Sequence, residues 1–172
     1  MAFARFATLA FVLCIGCGTS NPGTDAGPPP FDAGTAAPSV ELGTGVSAFE
    51  AIPETGAELE LVRGPQGGHH VFLTARFRGL NPEGMTLTFT AVDTATGSVV
   101  RAPASFNLVL ARVRAEGDAY VRVGDFLILE DMENPDAVRG LTLDITVLAE
   151  EAGTGRSATD HRVVLIVDNE MG

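Results

Sequence analysis

From about Val40 onward the chain is written in a two-residue rhythm, and that rhythm limits what it can fold into. In "MTLTFTAV", Met85, Leu87, Phe89 and Ala91 alternate with Thr86, Thr88 and Thr90. Successive side chains of a strand point to opposite faces, so this stretch reads as a strand with one buried face and one wet face. "ELELV" alternates Leu59 and Leu61 with Glu58 and Glu60. "VFLTARFRG" sets Val71, Leu73, Ala75 and Phe77 against Thr74, Arg76 and Arg78, and "LTLDITVLA" sets Leu141, Leu143, Ile145 and Val147 against Thr142, Asp144 and Thr146. In "HRVVLIVD" the rhythm gives Val163, Leu165 and Val167 one inward face, with His161 at its head. "NLVLARVRA" and "VRVGDFLILE" are apolar on both faces for part of their length, as expected of more central strands. No stretch of the body repeats every 3.6 residues, the period a helix would need.

Turn chemistry separates these runs: "NPEG" at Asn81, "DTATG" at Asp93, "AEGD" at Ala115, "ENPD" at Glu133 and "EAGTG" at Glu151. About seven to nine short strands with turns every 8 to 12 residues or so predict an all-β fold, an antiparallel β-sandwich of Ig-like or jelly-roll-like arrangement. A small β-barrel is the alternative. The chain has no tryptophan, and its two cysteines both precede the body, so the immunoglobulin disulfide and its tryptophan are missing.

The N-terminus has a different character. Arg5 precedes the apolar run "FATLAFVLCIG", which gives way at Cys17 to glycine, serine and proline. Charge, short apolar segment and small residues in that order are those of a secretory signal. The run falls short of the roughly 20 apolar residues that a membrane-crossing helix takes. "LCIGC" resembles the lipobox of bacterial lipoproteins, with Ile15 and Gly16 at the aliphatic and small positions, and Cys14 where the family most often has leucine. The resemblance implies cleavage after residue 16, lipidation of Cys17 and attachment to a membrane; an ordinary cleaved secretion signal is the plainer alternative. With Cys14 removed and Cys17 carrying lipid, no thiol remains for a disulfide, a nucleophile or a zinc–thiolate site, although an exported compartment would permit disulfides.

Residues 17–39 hold glycine, proline, alanine, serine and threonine in quantity and one large apolar residue, Phe31. Such a composition buries too little apolar surface to offset the entropy of ordering it, so the segment is expected to be a disordered tether, stiffened by the polyproline run at Pro28 to Pro30. A flexible chain of this length holds the body about 20 to 30 Å from the lipid. The expected organisation is a signal over 1–16, a tether over 17–39 and a β-sandwich over 40–172. A net charge of −11 and a pI near 4.5, with every basic residue an arginine, argue against nucleic acid or an anionic membrane surface as partner.

The body offers two sets of candidate site residues. The loop "RGPQGGHH" contains Pro65, Gln66, Gly67, Gly68 and His70, and as a hairpin turn it explains itself: Pro65 suits the second position of a type I turn and the glycines supply positive φ. His69 shares parity with Val71 and Leu73 and faces inward, whereas His70 faces outward, so the neighbours cannot readily ligate one metal. His69 and His161 form the alternative pair. Were their strands to run the same way, the two imidazoles would meet at one end, with Asp160 or Glu151 completing a zinc or copper site. The plainer reading has His69 packed or capping and His161 on the surface. The carboxylates of "EDMENPDA" lack the spacing and glycine of an EF-hand, so they read as a solvated acidic turn. No nucleophile elbow, zinc-protease helix or phosphate loop is present, and Ser157, His161 and Asp168 would be mis-aimed along a strand. The sequence therefore points to no enzyme and no cofactor.

Taken whole, lipobox, "DAGPPP" tether and β body resemble the uncharacterised lipoproteins of GC-rich, myxobacterial-type genomes. The resemblance implies a lipid-anchored cell-envelope protein whose partner is an envelope protein or surface ligand. Gly18 after Cys17 lacks the aspartate that marks inner-membrane retention in some bacteria, which favours the outer membrane.

Overall fold

The structure, a computed structural model, describes residues 36–65, 67–130 and 134–168. The alternating stretches become two sheets packed face to face. The first holds β1 (Ser39–Thr44), β2 (Glu50–Ala51), β4 (Val62–Arg63), β5 (His69–Arg78), β8 (Arg114–Glu116) and β9 (Ala119–Glu130). Its order is β2-β1-β5-β9-β8, with β4 also paired to β5. The second holds β3 (Ala57–Glu60), β6 (Thr86–Asp93), β7 (Ala104–Asn107), β10 (Thr142–Glu150) and β11 (Ser157–Val167), in the order β3-β11-β10-β6-β7. The fold is an all-β sandwich of antiparallel sheets, with one departure from the expected pattern: β3 runs parallel to β11. The chain then crosses at Leu61, whose N–H donates to the Val167 carbonyl, and β4 joins the other sheet antiparallel to β5.

Between the sheets lie Leu73, Ala75 and Phe77 from β5, Leu87 and Phe89 from β6, and Leu143, Ile145 and Val147 from β10, all fully buried. Burying each of the larger side chains stabilises the fold by about 1.5–3 kcal/mol. Both open sides of this core are closed by an aspartate–arginine pair. On one side Asp160 of β11 accepts the Leu42 N–H of β1 at 2.7 Å and pairs with Arg162, which donates to the Ile52 carbonyl at 2.9 Å. On the other, the buried Asp125 of β9 is held through both oxygens by Arg122, which also reaches the Arg112 carbonyl. Burial raises the Asp125 carboxyl above its usual range, against the opposing pull of Arg122. A bulge makes this pair: between Leu73 and Ala75 the β5–β9 register slips, and Gly124 takes a φ of 73° that a side chain would resist.

Two sequence expectations change. The buried residues of β11 are Val164 and Ile166, while Leu165 is 36% exposed. The last strand therefore sits with the opposite face inward from that expected, and His161 with it turns outward. Both parities of "HRVVLIVD" are apolar, and the inward one continues toward the sheet's other end as Arg162 and Asp160, a polar pair recruited to seal the side of the core. "NLVLARVRA" is no central strand: β7 ends at Asn107, Leu110–Arg112 form a 3-10 turn, and β8 begins at Arg114 on an edge. Among the described residues there is no α-helix.

Candidate functional site

Strand direction decides which candidates meet. Ser39 pairs with Arg78 at one pole, where Arg156 donates to the Ala36 carbonyl at 3.0 Å and Gly79 lies against the same segment. At about 3.4 Å per residue, His70 lies some 27 Å along β5 from Arg78, at the opposite pole. The 63–68 loop is a hairpin turn there: the Gly67 N–H donates to the Gly64 carbonyl at 2.9 Å, the Gly64 N–H to the Gly68 carbonyl at 2.7 Å, and Gly67 has a φ of 95°. Pro65 stands just after Gly64, at the second position of that turn; Gln66 lies outside the described residues.

His69 and His161 are not brought together. β5 runs from the far pole toward Ala36, and β11 runs the other way. His69 is half-buried at the head of the inward face of β5, whereas the His161 side chain is 64% exposed on the outer face of the other sheet. There its Nδ1 lies 2.9 Å from an Asp144 carboxylate oxygen. The carboxylates expected to complete a metal site are engaged elsewhere, Asp160 by Arg162 and Glu151 by Arg156. Among the described residues no group of three or more histidine, cysteine, aspartate or glutamate side chains is arranged to hold a metal ion. Of the acidic turn, residues 131–133 lie outside the described residues, and Asp136 pairs with Arg139. Ser157 opens β11 and Asp168 follows its last residue, and Asp168 is taken by Arg139. Cys17 and the tether up to residue 35 also lie outside the described residues.

What the geometry does assemble is an apolar strip on the outer face of β5 and β9. His70 stands opposite Ile128, and Phe72 opposite Phe126. The His70 ring meets Phe72 edge-on at 5.0 Å and Phe126 at 5.5 Å, and Phe126 meets Phe106 of β7 at 6.4 Å. Phe126 is 45% exposed and Ile128 37%. Burial, and secondarily the neighbouring His69, lower the His70 pKa, which favours an uncharged ring within the strip. Sequence reasoning assigned His70 to the outer face but missed the strip. The signal was there in Phe72, Phe126 and Ile128, apolar residues on the parity that ought to be wet.

Beside the strip, β1 and β4 share one edge of β5. β1 covers Thr74 to Arg78 and β4 covers only His69 and His70, which leaves a notch at Phe72, whose carbonyl accepts the Thr44 hydroxyl at 2.9 Å. A cleft of about 210 Å3 opens there, walled by Val46, Leu59, Val62 and Phe72 with Glu50 and Glu60 also lining it.

No protein-family model and no curated protein matches the chain. Among solved structures, it is similar to a bacterial adhesin from Mobiluncus mulieris containing intramolecular disulfide, isopeptide and ester bond cross-links, at 14% identity and a TM-score of 0.40. The match covers 76% of this chain and 49% of the adhesin chain, so it spans about half of that protein. A likeness of this size carries no chemistry from one chain to the other.

Proposed function

We propose that this chain is a cell-envelope lipoprotein, anchored through Cys17, whose β-sandwich works by binding or by bearing structure and not by catalysis. The observation that carries the reading is the separation of two features along the body. The N-terminal segment meets the sandwich at the Gly79 and Arg156 pole, while the partly exposed strip of His70, Phe72, Phe126 and Ile128 lies toward the other. A tethered body is useful when its contact surface faces away from its anchor, and contiguous exposed apolar side chains mark contact surfaces in soluble domains. The "LCIGC" motif supports the anchor, and Gly18 favours the outer membrane.

Mass spectrometry of the protein recovered from envelope membranes tests the anchor. The expected mature chain begins at Cys17 with a diacylglyceryl thioether, and Cys17→Ser moves the protein to the soluble fraction. A chain retaining Met1, or an unlipidated N-terminus on membrane-free protein, overturns the reading.

A further inference from the structure

The acidic residues of this protein fall into two groups. Most are neutralised in place: Glu41 by Arg76, Asp118 by Arg78, Glu116 by Arg114, Asp125 by Arg122, Asp160 by Arg162. Of the others, Glu83 accepts the Leu110 N–H, Asp93 accepts hydrogen bonds within its own turn, and Glu150 stands alone at the Ala36 pole among the described residues. The carboxylates of Glu50, Glu54, Glu58 and Glu60 have no hydrogen bond or ion pair among the described residues. All four belong to the short stretch that leaves β2 and becomes β3. Two of them, Glu50 and Glu60, line the notch cleft together with Thr44, Gly45 and the apolar residues Val46, Leu59, Val62 and Phe72.

We infer that this cleft receives a lysine or arginine side chain from a partner polypeptide. The inference deepens the binding role proposed above and rests on it. A long basic side chain is an aliphatic stem with a charged head, and it lowers its free energy when the stem lies on apolar surface while the head stays at a wet, oppositely charged rim. Val62 and Val46 offer the stem its surface, Phe72 adds an aromatic residue to the lining, and the two free carboxylates receive the head. Size decides between a side chain and a free ligand. Pockets that enclose whole small molecules measure about 300–1,000 Å3, and this cleft, at about 210 Å3, is smaller. It also opens onto the partly exposed strip through Phe72, so an occupant that continues beyond the cleft has apolar surface to cover, as a polypeptide does and a free amine does not. The protein's net charge of −11 draws such a partner at long range.

The test uses the full chain purified in detergent, with a short labelled peptide alternating valine and lysine as probe and its acetyl-lysine counterpart as control, read by fluorescence anisotropy. The lysine peptide is expected to bind and the acetylated one not. Glu60→Gln and Glu50→Gln should each weaken binding about fivefold to tenfold. Glu150→Gln, which removes the same charge from a partnerless glutamate at the pole near Ala36, should leave it unchanged. Val62→Ser should weaken binding even at about 0.5 M salt, where charge alone is screened. No binding of the lysine peptide, equal binding of the acetylated peptide, or an equal loss from Glu150→Gln overturns the proposal. Oligomers that disperse on Glu50→Gln and Glu60→Gln substitution, with no peptide binding, would assign the cleft to a second copy instead, and that also overturns it. The mass of the same preparation reads lipidation independently: a lipidated chain that fails to bind removes the cleft and keeps the anchor, and an unlipidated chain that binds does the reverse.

Discussion

The two outer faces of the sandwich are made by the same alternation and finished in opposite ways. On the β6–β10–β11 sheet the outward residues are largely hydroxylated or charged and bond to one another across strands: Thr86 to Asn107 and Thr88 to Ser105 at 3.0 Å, His161 to Asp144 at 2.9 Å. Apart from Leu165 of β11, that face is complete in water. On the β1–β5–β9 sheet the outward residues are fit to be covered. Over its middle the 45–49 loop does the covering: Thr74, fully buried, donates to the Gly45 carbonyl at 2.9 Å, and Arg76 stacks 4.2 Å from the Phe49 ring centroid while pairing with Glu41. Toward the far pole Phe126 and Ile128 stay exposed beside the half-buried His70 and Phe72. The difference teaches that one outward face can be finished in two ways, by a loop bonded over the polar Thr74 and Arg76 and by apolar side chains left partly exposed at Phe126 and Ile128.

The sharpest way to break this comparison is to remove the loop's cover. Phe49→Ala strips the apolar cover from Arg76, and since Phe49 is half-buried the cost should fall below the usual range for a buried phenylalanine, at about 2 kcal/mol by chemical denaturation. A loss under about 0.5 kcal/mol, the range of ordinary surface changes, would mean the loop covers nothing of consequence. Thr74→Val comes next. It keeps the shape and removes the hydroxyl that satisfies the Gly45 carbonyl, so about 1–2 kcal/mol should be lost.

A pH titration sharpens the contrast further. The folded-state pKa of His70 is depressed by burial and by His69, so its contribution to stability is present above the unfolded value of about 6.5 and is lost as pH falls through the folded value. Melting temperatures at pH 7.5 and 5.5 should therefore differ less in His70→Phe than in the native chain; an unchanged difference would show that the ring is as well solvated as in the unfolded protein. The smallest effect belongs to the open half of the face. Phe126→Ser should move stability by no more than about 0.5 kcal/mol while lowering the binding of an apolar dye, because the side chain is exposed and the patch is what the dye reads.

Where one parity was apolar and the other polar, the sequence announced the strand and its inner face: Leu87, Phe89 and Ala91 of β6, Leu143, Ile145 and Val147 of β10, and Val71, Leu73, Ala75 and Phe77 of β5 are buried as expected. Thr74, expected to be wet, is instead buried under the 45–49 loop. Where both parities were apolar, as at Val163 to Val167, the rhythm could not choose, and the tertiary need for Asp160 and Arg162 at the side of the core chose instead. The short β1 escaped notice because six residues with a glycine make a weak pattern. The cleft was out of reach for a stronger reason. It exists because β1 and β4, distant in the chain, both pair with one edge of β5 and leave Phe72 between them, and no local period encodes a long-range pairing. Of its carboxylates, Glu60 was visible only as the wet side of a strand, and Glu50 fell outside every strand read from the sequence.

The registration of β1 with β5 also has a mechanical side. Its five partnered residues, from Ser39 opposite Arg78 to Gly43 opposite Thr74, run along the direction from the Ala36 pole to the far pole. With the proposed anchor behind Ala36 and the proposed partner held at Phe72, tension between them would strain those rungs together in shear instead of peeling them one after another.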